Sequence, residues 1–254
     1  MLFLLLPSQT VSKKERIDKI LVKKGLVKSR ERARALIMAG KVLIDGQKAE
    51  KAGTFVHPES TLALKEKDHP YVSRGGLKLT YALDYFNVPV KGRIIMDVGA
   101  STGGFTHSLL MRGATKVYAV DVGYGQLAWL LRNDSRVVCM EKTNIRYLSP
   151  DRIPDPVSLA VSDTSFISLK KILGSIKTLV QKEGEILALI KPQFEVKRQE
   201  VGKGGVVKDD RLHVRVVEEI AAFAGGLELE VLGTVESPIK GPKGNKEFFI
   251  YLKK

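Results

Sequence analysis

From residue 94 onward, short apolar runs alternate with longer stretches whose apolar positions recur every three or four residues. The runs fall at 94–96, 116–120, 137–140, 159–161, 186–190, 229–235 and 248–252. Apolar runs of this length, bounded by turn residues, read as strands, and the stretches between them as amphipathic helices. That alternation predicts a mostly parallel sheet with an antiparallel final strand. A helix also leads into this region, "YVSRGGLKLTYALDYF", with Leu77, Tyr81, Ala82 and Tyr85 predicted inward and Lys78 in its first turns. Before residue 65 the pattern is different. Ile17, Ile20 and Leu21 share one face of a first helix, and Ala33, Leu36 and Ile37 one face of a second, capped by Ser29. A strand at 41–44 then meets Asp45-Gly46, a strong two-residue hairpin signal, and returns from Gln47. The division predicted is a small α+β domain at 12–64, a charged linker at 65–74 and an α/β domain at 75–254.

The stretch "RIIMDVGASTGGF", residues 93–105, carries the strongest local chemistry. An apolar strand runs into small residues and out into a helix, so main-chain N–H groups and the helix's positive end face one spot. The second strand ends at Asp121, 24 positions after Asp97. An acid there can accept hydrogen bonds from both hydroxyls of a ribose, which points to a ligand containing a nucleoside. A dinucleotide is disfavoured, because Ser101 stands where the pyrophosphate fingerprint requires glycine. Asp97 inside the turn would repel a diphosphate and suits a ligand bearing an ammonium group.

Charge changes the picture of the first domain. The chain of 254 residues carries a net +14, and its first seventy residues hold 15 lysines and arginines against 8 acids. Per residue this quarter is more than twice as basic as the remainder, which suits a polyanionic partner. The single Cys139 excludes an intramolecular disulfide and fits a reducing, cytoplasmic setting. "MLFLLL" at the start is too short for a membrane span, and no membrane partner is expected.

Between residues 16 and 60 the string "RIDKILVKKGLVKSRERARALIMAGKVLIDGQ" resembles the RNA-binding module named after a small-subunit ribosomal protein of S-four type. The resemblance implies that Arg30, Arg34 and Lys41 contact structured RNA.

In the α/β domain, Asp121, Asp163 and Lys191 fall at carboxyl ends of strands, where open α/β sheets place their sites. Glu247 precedes the last strand and Lys78 lies on the entering helix, so two lysines and two carboxylates can gather around one point. Such a set suits an alcohol nucleophile, whose developing alkoxide an ammonium stabilises or whose proton a neutral lysine removes. The neighbouring carboxylates favour the first role.

The strings "VSRGGLKL", "DVGASTGGFT", "AVDVGYGQL", "SDTSFISL", "IKPQFE", "GKGGVV" and "SPIKGPKGNKEF" together resemble the TlyA/haemolysin A family of S-adenosylmethionine-dependent rRNA 2′-O-methyltransferases, whose catalytic domain is FtsJ-like. The resemblance implies a Rossmann-like class I methyltransferase domain with a Lys78–Asp163–Lys191–Glu247 tetrad. It implies that Asp97, Gly99, Ala100, Ser101 and Gly103 hold the methionine part of the donor and Asp121 its ribose. A cytidine of ribosomal RNA, free or in a subunit, is the implied substrate, and no metal is implied. Tyr71 stands where some relatives have tryptophan before "VSRG".

Rival readings are of three classes: base methylation, RNA binding without catalysis, and membrane lysis. Amino-directed base methylation favours an Asn/Asp-Pro-Pro-aromatic run, absent after Asp163, and carbon-5 methylation needs a nucleophilic cysteine, whereas Cys139 sits in a predicted strand. From another class comes a non-catalytic RNA-binding or ribosome-assembly factor. A membrane-lytic protein has no apolar span to support it.

Overall fold

A computed structural model describes residues 13–65, 69–241 and 243–254, so the N-terminal apolar run and part of the linker lie outside the described residues. The chain divides into two compact units, Met1–Pro70 and Tyr71–Lys254.

In the first unit the elements are β1 (Glu15–Arg16), α1 (Ile17–Lys23), α2 (Arg30–Met38), β2 (Val42–Ile44), β3 (Gln47–Lys48), β4 (Phe55–Val56) and β5 (Leu62–Leu64). The apolar faces read from the sequence do meet: Ile17, Ile20, Leu21, Ala33, Leu36 and Ile37 form one buried cluster with Val42. Ser29 Oγ accepts the Arg32 N–H at 3.2 Å, capping α2. Asp45 and Gly46 both take positive φ, 48° and 82°, which turns β2 into β3. The hairpin is one side of a three-stranded antiparallel sheet, because β5 pairs with β2, and β1 pairs separately with β4. These two- and three-residue strands carry too few positions to show a period.

The second unit runs α3 (Gly75–Tyr85), β6 (Ile94–Val98), α4 (Gly104–Met111), β7 (Lys116–Val120), α5 (Trp129–Arg132), β8 (Val137–Met140), β9 (Val157–Ser162), α6 (Leu173–Leu179), β10 (Val180–Ile190), α7 (Pro192–Glu195), α8 (Asp210–Gly226), β11 (Glu230–Glu236) and β12 (Phe248–Lys253). Its seven-stranded sheet has the order β11-β12-β10-β9-β6-β7-β8. Strands β6 to β10 run parallel to one another, and β12 inserts antiparallel between β10 and β11. Because strand side chains alternate, Met96 and Val98 pack on one face with Ile172, Ile176 and Ile220, while Ile95 packs on the other with Leu79, Phe105 and Leu109. Burial on both faces explains why the inner strands β6, β9 and β10 read as continuous apolar runs, whereas the edge strands β8 and β11 are partly exposed.

One orientation differs from the sequence reading. The buried face of α3 is Lys78, Leu79, Ala82 and Leu83, and Tyr81 and Tyr85 are exposed, their rings stacked at 6.0 Å. Both rings carry a polar end that water can solvate, so the aliphatic Leu79 and Leu83 take the interior and the tyrosines cover each other at the surface.

Candidate active site

The carboxyl ends of β6, β7, β9 and β10 lie along one edge of the sheet, and every strand-end residue singled out from the sequence projects from it. After β6 the chain turns through Gly99, Ser101 and Gly103, all at positive φ. Gly99 has a second reason to lack a side chain: a Cβ there would lie 2.9 Å from the Asp163 carbonyl oxygen. Asp121 closes the turn from the neighbouring strand, its Oδ2 accepting the Ser101 N–H at 2.8 Å and its Oδ1 the Gly123 N–H at 2.7 Å.

The turn borders a cavity of about 430 Å³. Val98, Gly99, Ser101, Asp121, Asn144 and Asp163 are among its lining residues, with Val120, Ile145, Ile167 and Ile172 as apolar wall. Asp97, Ala100 and Gly103 do not line it. Asp97 is fully buried behind the turn, where Oδ2 accepts from the Thr106 N–H at 2.9 Å and the Thr106 hydroxyl at 2.7 Å. Its Oδ1 is a buried oxygen with no hydrogen-bond partner among the described residues. Burial raises the Asp97 carboxyl to about 7, against the pull of the two Thr106 bonds, and the charges of Asp163 and Asp121 add to the rise.

Beside this cavity the four predicted polar residues come together. Lys78 Nζ donates to Glu247 Oε2 at 2.6 Å and stands 3.8 Å from Asp163 Oδ2. Lys191 Nζ meets Asp163 Oδ1 at 2.6 Å and donates to the Ser165 hydroxyl at 2.7 Å. The result is a continuous line Glu247–Lys78–Asp163–Lys191–Ser165 in which Glu247, Lys78 and Lys191 are buried and Asp163 is more open. Burial this deep is tolerated because the charges balance and the three buried groups are each hydrogen-bonded, Lys78 to Glu247 and Lys191 to Ser165. The topology explains the convergence: Asp163 and Lys191 end the parallel neighbours β9 and β10, Glu247 precedes β12, which pairs with β10 in the opposite direction, and α3 packs alongside α4.

Sequence reasoning missed Ser165 and Thr106, hydroxyls inside motifs already marked, and it missed Asn245. That side chain is 3 % exposed, accepts the Val207 N–H at 2.9 Å and donates to the Gly205 carbonyl at 2.9 Å, joining two glycine-rich loops next to Glu247. A second cavity adjoins the first through Phe166 and Ile167 and is also lined by Arg146, Ser168, Lys171 and Phe194. Cys139 lies within β8 and lines neither cavity. Tyr71 sits over the start of α3, its hydroxyl 2.7 Å from Thr80 Oγ1. In the first unit Arg30 and Arg34 both reach the buried Asp18, and Lys41 precedes β2, its main chain bonded to Leu36 and Lys65.

Residues 71–254 match the family described as FtsJ-like methyltransferase, and residues 15–62 match the S4 domain. The chain belongs to the FtsJ-like methyltransferases. Its Rossmann-like sheet and glycine turn are thus the family's catalytic fold, preceded here by an S4 domain. The chain is 47% identical over 244 residues to the 16S/23S rRNA (cytidine-2'-O)-methyltransferase TlyA of Mycobacterium tuberculosis, covering 96% of this chain and 91% of that one. It is 38% identical over 237 residues to Hemolysin A of Brachyspira hyodysenteriae, covering 93% and 98%. A solved structure of a candidate hemolysin from Streptococcus thermophilus superposes with a TM-score of 0.75 at 44% identity, covering 95% of this chain and 89% of that one. Among the described residues of this FtsJ-like chain, no helix is long and apolar enough to cross a membrane.

Proposed function

We propose that this protein transfers a methyl group from S-adenosylmethionine to a ribose 2′-hydroxyl of ribosomal RNA, with cytidine as the target nucleoside. The observation that carries the reading is the Lys78–Asp163–Lys191–Glu247 line standing beside a nucleoside-sized cavity at the sheet's carboxyl edge. The near relation to an rRNA (cytidine-2'-O)-methyltransferase over almost the whole chain supports the substrate.

The cavity's residues fit this donor. Three carboxylates, Asp97, Asp121 and Asp163, surround the turn, and one buried Asp97 oxygen has no partner among the described residues, which suits a cationic ligand. Asp121 is the acceptor for the ribose hydroxyls, and the isoleucine and valine wall suits a flat base. Gly99 and Ser101, which line the cavity, would hold the methionine part, and Asp97, Ala100 and Gly103, which do not, would act by shaping the turn and its field.

The donor's sulfonium supplies an electrophilic methyl group that leaves behind a neutral thioether. What remains is to make a sugar hydroxyl nucleophilic. Lys191, held on one side by Asp163 and on the other by Ser165, presents positive charge to the developing alkoxide, while the hydroxyl's proton leaves to solvent as the methyl group passes to oxygen. Lys78 and Glu247 brace Asp163 from the far side, so the charges that count in the transition state are in place before substrate arrives. The second cavity, with Phe166, Phe194, Arg146 and Lys171, offers aromatic faces and cations to an unstacked nucleotide. Arg30, Arg34 and Lys41 supply RNA affinity from the first unit.

The test is to map 2′-O-methyl groups on ribosomal RNA and subunits after incubation with protein and donor, for wild type and Lys191→Ala. Methylation by wild type and its loss in the variant, with donor binding retained in both, is the expected result. Donor-independent RNA binding with no methylation by wild type would leave a non-catalytic RNA-binding factor as the better reading.

A further inference from the structure

The α1 helix opens with a residue that its surroundings make unusual: Asp18 is fully buried at the start of a helix rich in lysines. Three guanidiniums converge on it. Arg16 forms a two-point clasp, Nε to Oδ1 at 3.1 Å and Nη2 to Oδ2 at 3.0 Å. Arg30 Nη2 reaches Oδ2 at 3.1 Å and Arg34 Nε reaches it at 3.3 Å. Arg30 and Arg34 are one helical turn apart on α2, so the carboxylate links β1, α1 and α2 in addition to the apolar core that α1 and α2 share. The carboxylate is shielded, yet the three arginine side chains keep 34%, 42% and 50% of their surface open.

We propose that Asp18 is a positioning residue: its carboxylate fixes the guanidiniums of Arg16, Arg30 and Arg34 in one preset pattern that matches the phosphates of folded RNA. This rests on the RNA-binding reading of the first unit and adds Arg16 to its RNA-facing set. The physical reason is that a guanidinium has five N–H donors in a rigid fork, so engaging one or two of them with Asp18 orients the rest. Three like charges brought this close would otherwise repel and sample many arrangements, and ordering them on binding would cost affinity. A folded RNA has phosphates at fixed spacing and gains from a fixed pattern, whereas a flexible single strand adapts to any.

Charge and positioning make opposite predictions, which gives the test its force. Removing the Asp18 charge makes the surface more positive, so simple attraction would tighten binding to every RNA. Positioning says that the full-length Asp18→Asn variant binds a folded ribosomal RNA transcript about tenfold more weakly while its affinity for oligo(U) of equal length holds or rises. Filter binding across a salt series reads both, and the slope against log salt should fall by about 0.9 for each transcript phosphate that an arginine no longer neutralises. Tighter binding to both RNAs by one common factor would overturn the proposal. Should Asp18→Asn unfold the first unit, as a thermal scan would reveal, Arg16→Lys takes its place: it keeps every charge but loses the clasp. Reduced preference for the folded transcript is expected there too, and an unchanged preference overturns the proposal. The Arg30→Ala, Arg34→Ala double variant separates RNA binding from positioning. If it binds both RNAs like wild type, the RNA-binding reading of this face fails; if it binds weakly while Asp18→Asn keeps its selectivity, the positioning role alone fails.

Discussion

On the proposed mechanism Lys191 is the residue on which the chemistry turns, because it follows a buried strand directly and has a carboxylate and a hydroxyl fixing its nitrogen. Replacing it by Ala removes the positive charge closest to Asp163, and loss of one preorganised stabilising group of this kind costs roughly 10²–10³ in kcat. Single-turnover methyl transfer should fall by that factor, and donor affinity, measured by calorimetry, should stay within about twofold, since Lys191 does not line the donor cavity. Asp97 makes a different prediction. An aspartate in an unfolded chain titrates near 3.9, whereas burial raises this one to about 7. Below about pH 4 both states are protonated and the buried carboxyl contributes its full stability. Between there and about 7 the native state holds a proton that the unfolded chain has released, so stability falls as pH rises, and the loss is complete above that point. Asp97→Asn keeps an acceptor for both Thr106 donors and cannot ionise. Its melting curve should match wild type near pH 4 and lie higher at pH 8, by roughly 1–4 kcal/mol. Donor binding should move the other way, weakening as the negative charge under the turn is lost. Coincident melting curves at pH 8 would show that the Asp97 carboxylate is not strained by its burial.

At the scale of elements, the two glycine-rich loops at 202–208 and 241–247 matter because Asn245 joins them while Glu247 starts the last strand. Asn245→Ala leaves the Val207 N–H and the Gly205 carbonyl without that partner, at a local cost of about 1–3 kcal/mol. The expected readout is faster proteolysis within 202–208 and methyl transfer slowed by roughly tenfold at unchanged donor affinity, as the segment that carries Glu247 loses its tie to the neighbouring loop. Unchanged protection of that loop in the variant would contradict the latch. Nothing in the sequence distinguished Asn245 from the surrounding lysines and glycines, since its value lies in a partner 38 positions away. The same limit hid Asp18, which reads as a solvated acid among lysines until arginines 12 and 16 positions on are folded against it. What was legible obeyed a simpler rule. Parallel strands buried on both faces must be apolar throughout and must end at one edge, so a polar residue immediately after such a run, as at Asp121, Asp163 and Lys191, is already assigned a place. Helix faces were less certain: the spacing around Tyr81 and Tyr85 marked a stripe, but an amphipathic ring can sit at the surface, and there it sits.

On the scale of the whole molecule, the proposed function puts RNA affinity and chemistry in separate units. The first unit closes its own core around Ile17, Leu21 and Ile37, and the second closes two cores on the faces of its sheet. None of the three clusters draws buried residues from both sides of residue 70, so each unit has what independent folding requires. A chain of residues 71–254 should therefore melt cooperatively and bind donor within about twofold of the full chain, because every cavity residue falls inside it. Its RNA affinity should drop steeply, by about 10² or more at low salt, since the arginines gathered on Asp18 and Lys41 are gone. A salt series adds an independent readout. If each of the missing cations releases counterions from a phosphate, the slope of log affinity against log salt should become shallower by about 0.9 per phosphate, for about three or four phosphates in all. A shortened chain with the full chain's slope would mean that the basic first unit does not touch RNA and that the phosphates are met by the catalytic unit instead.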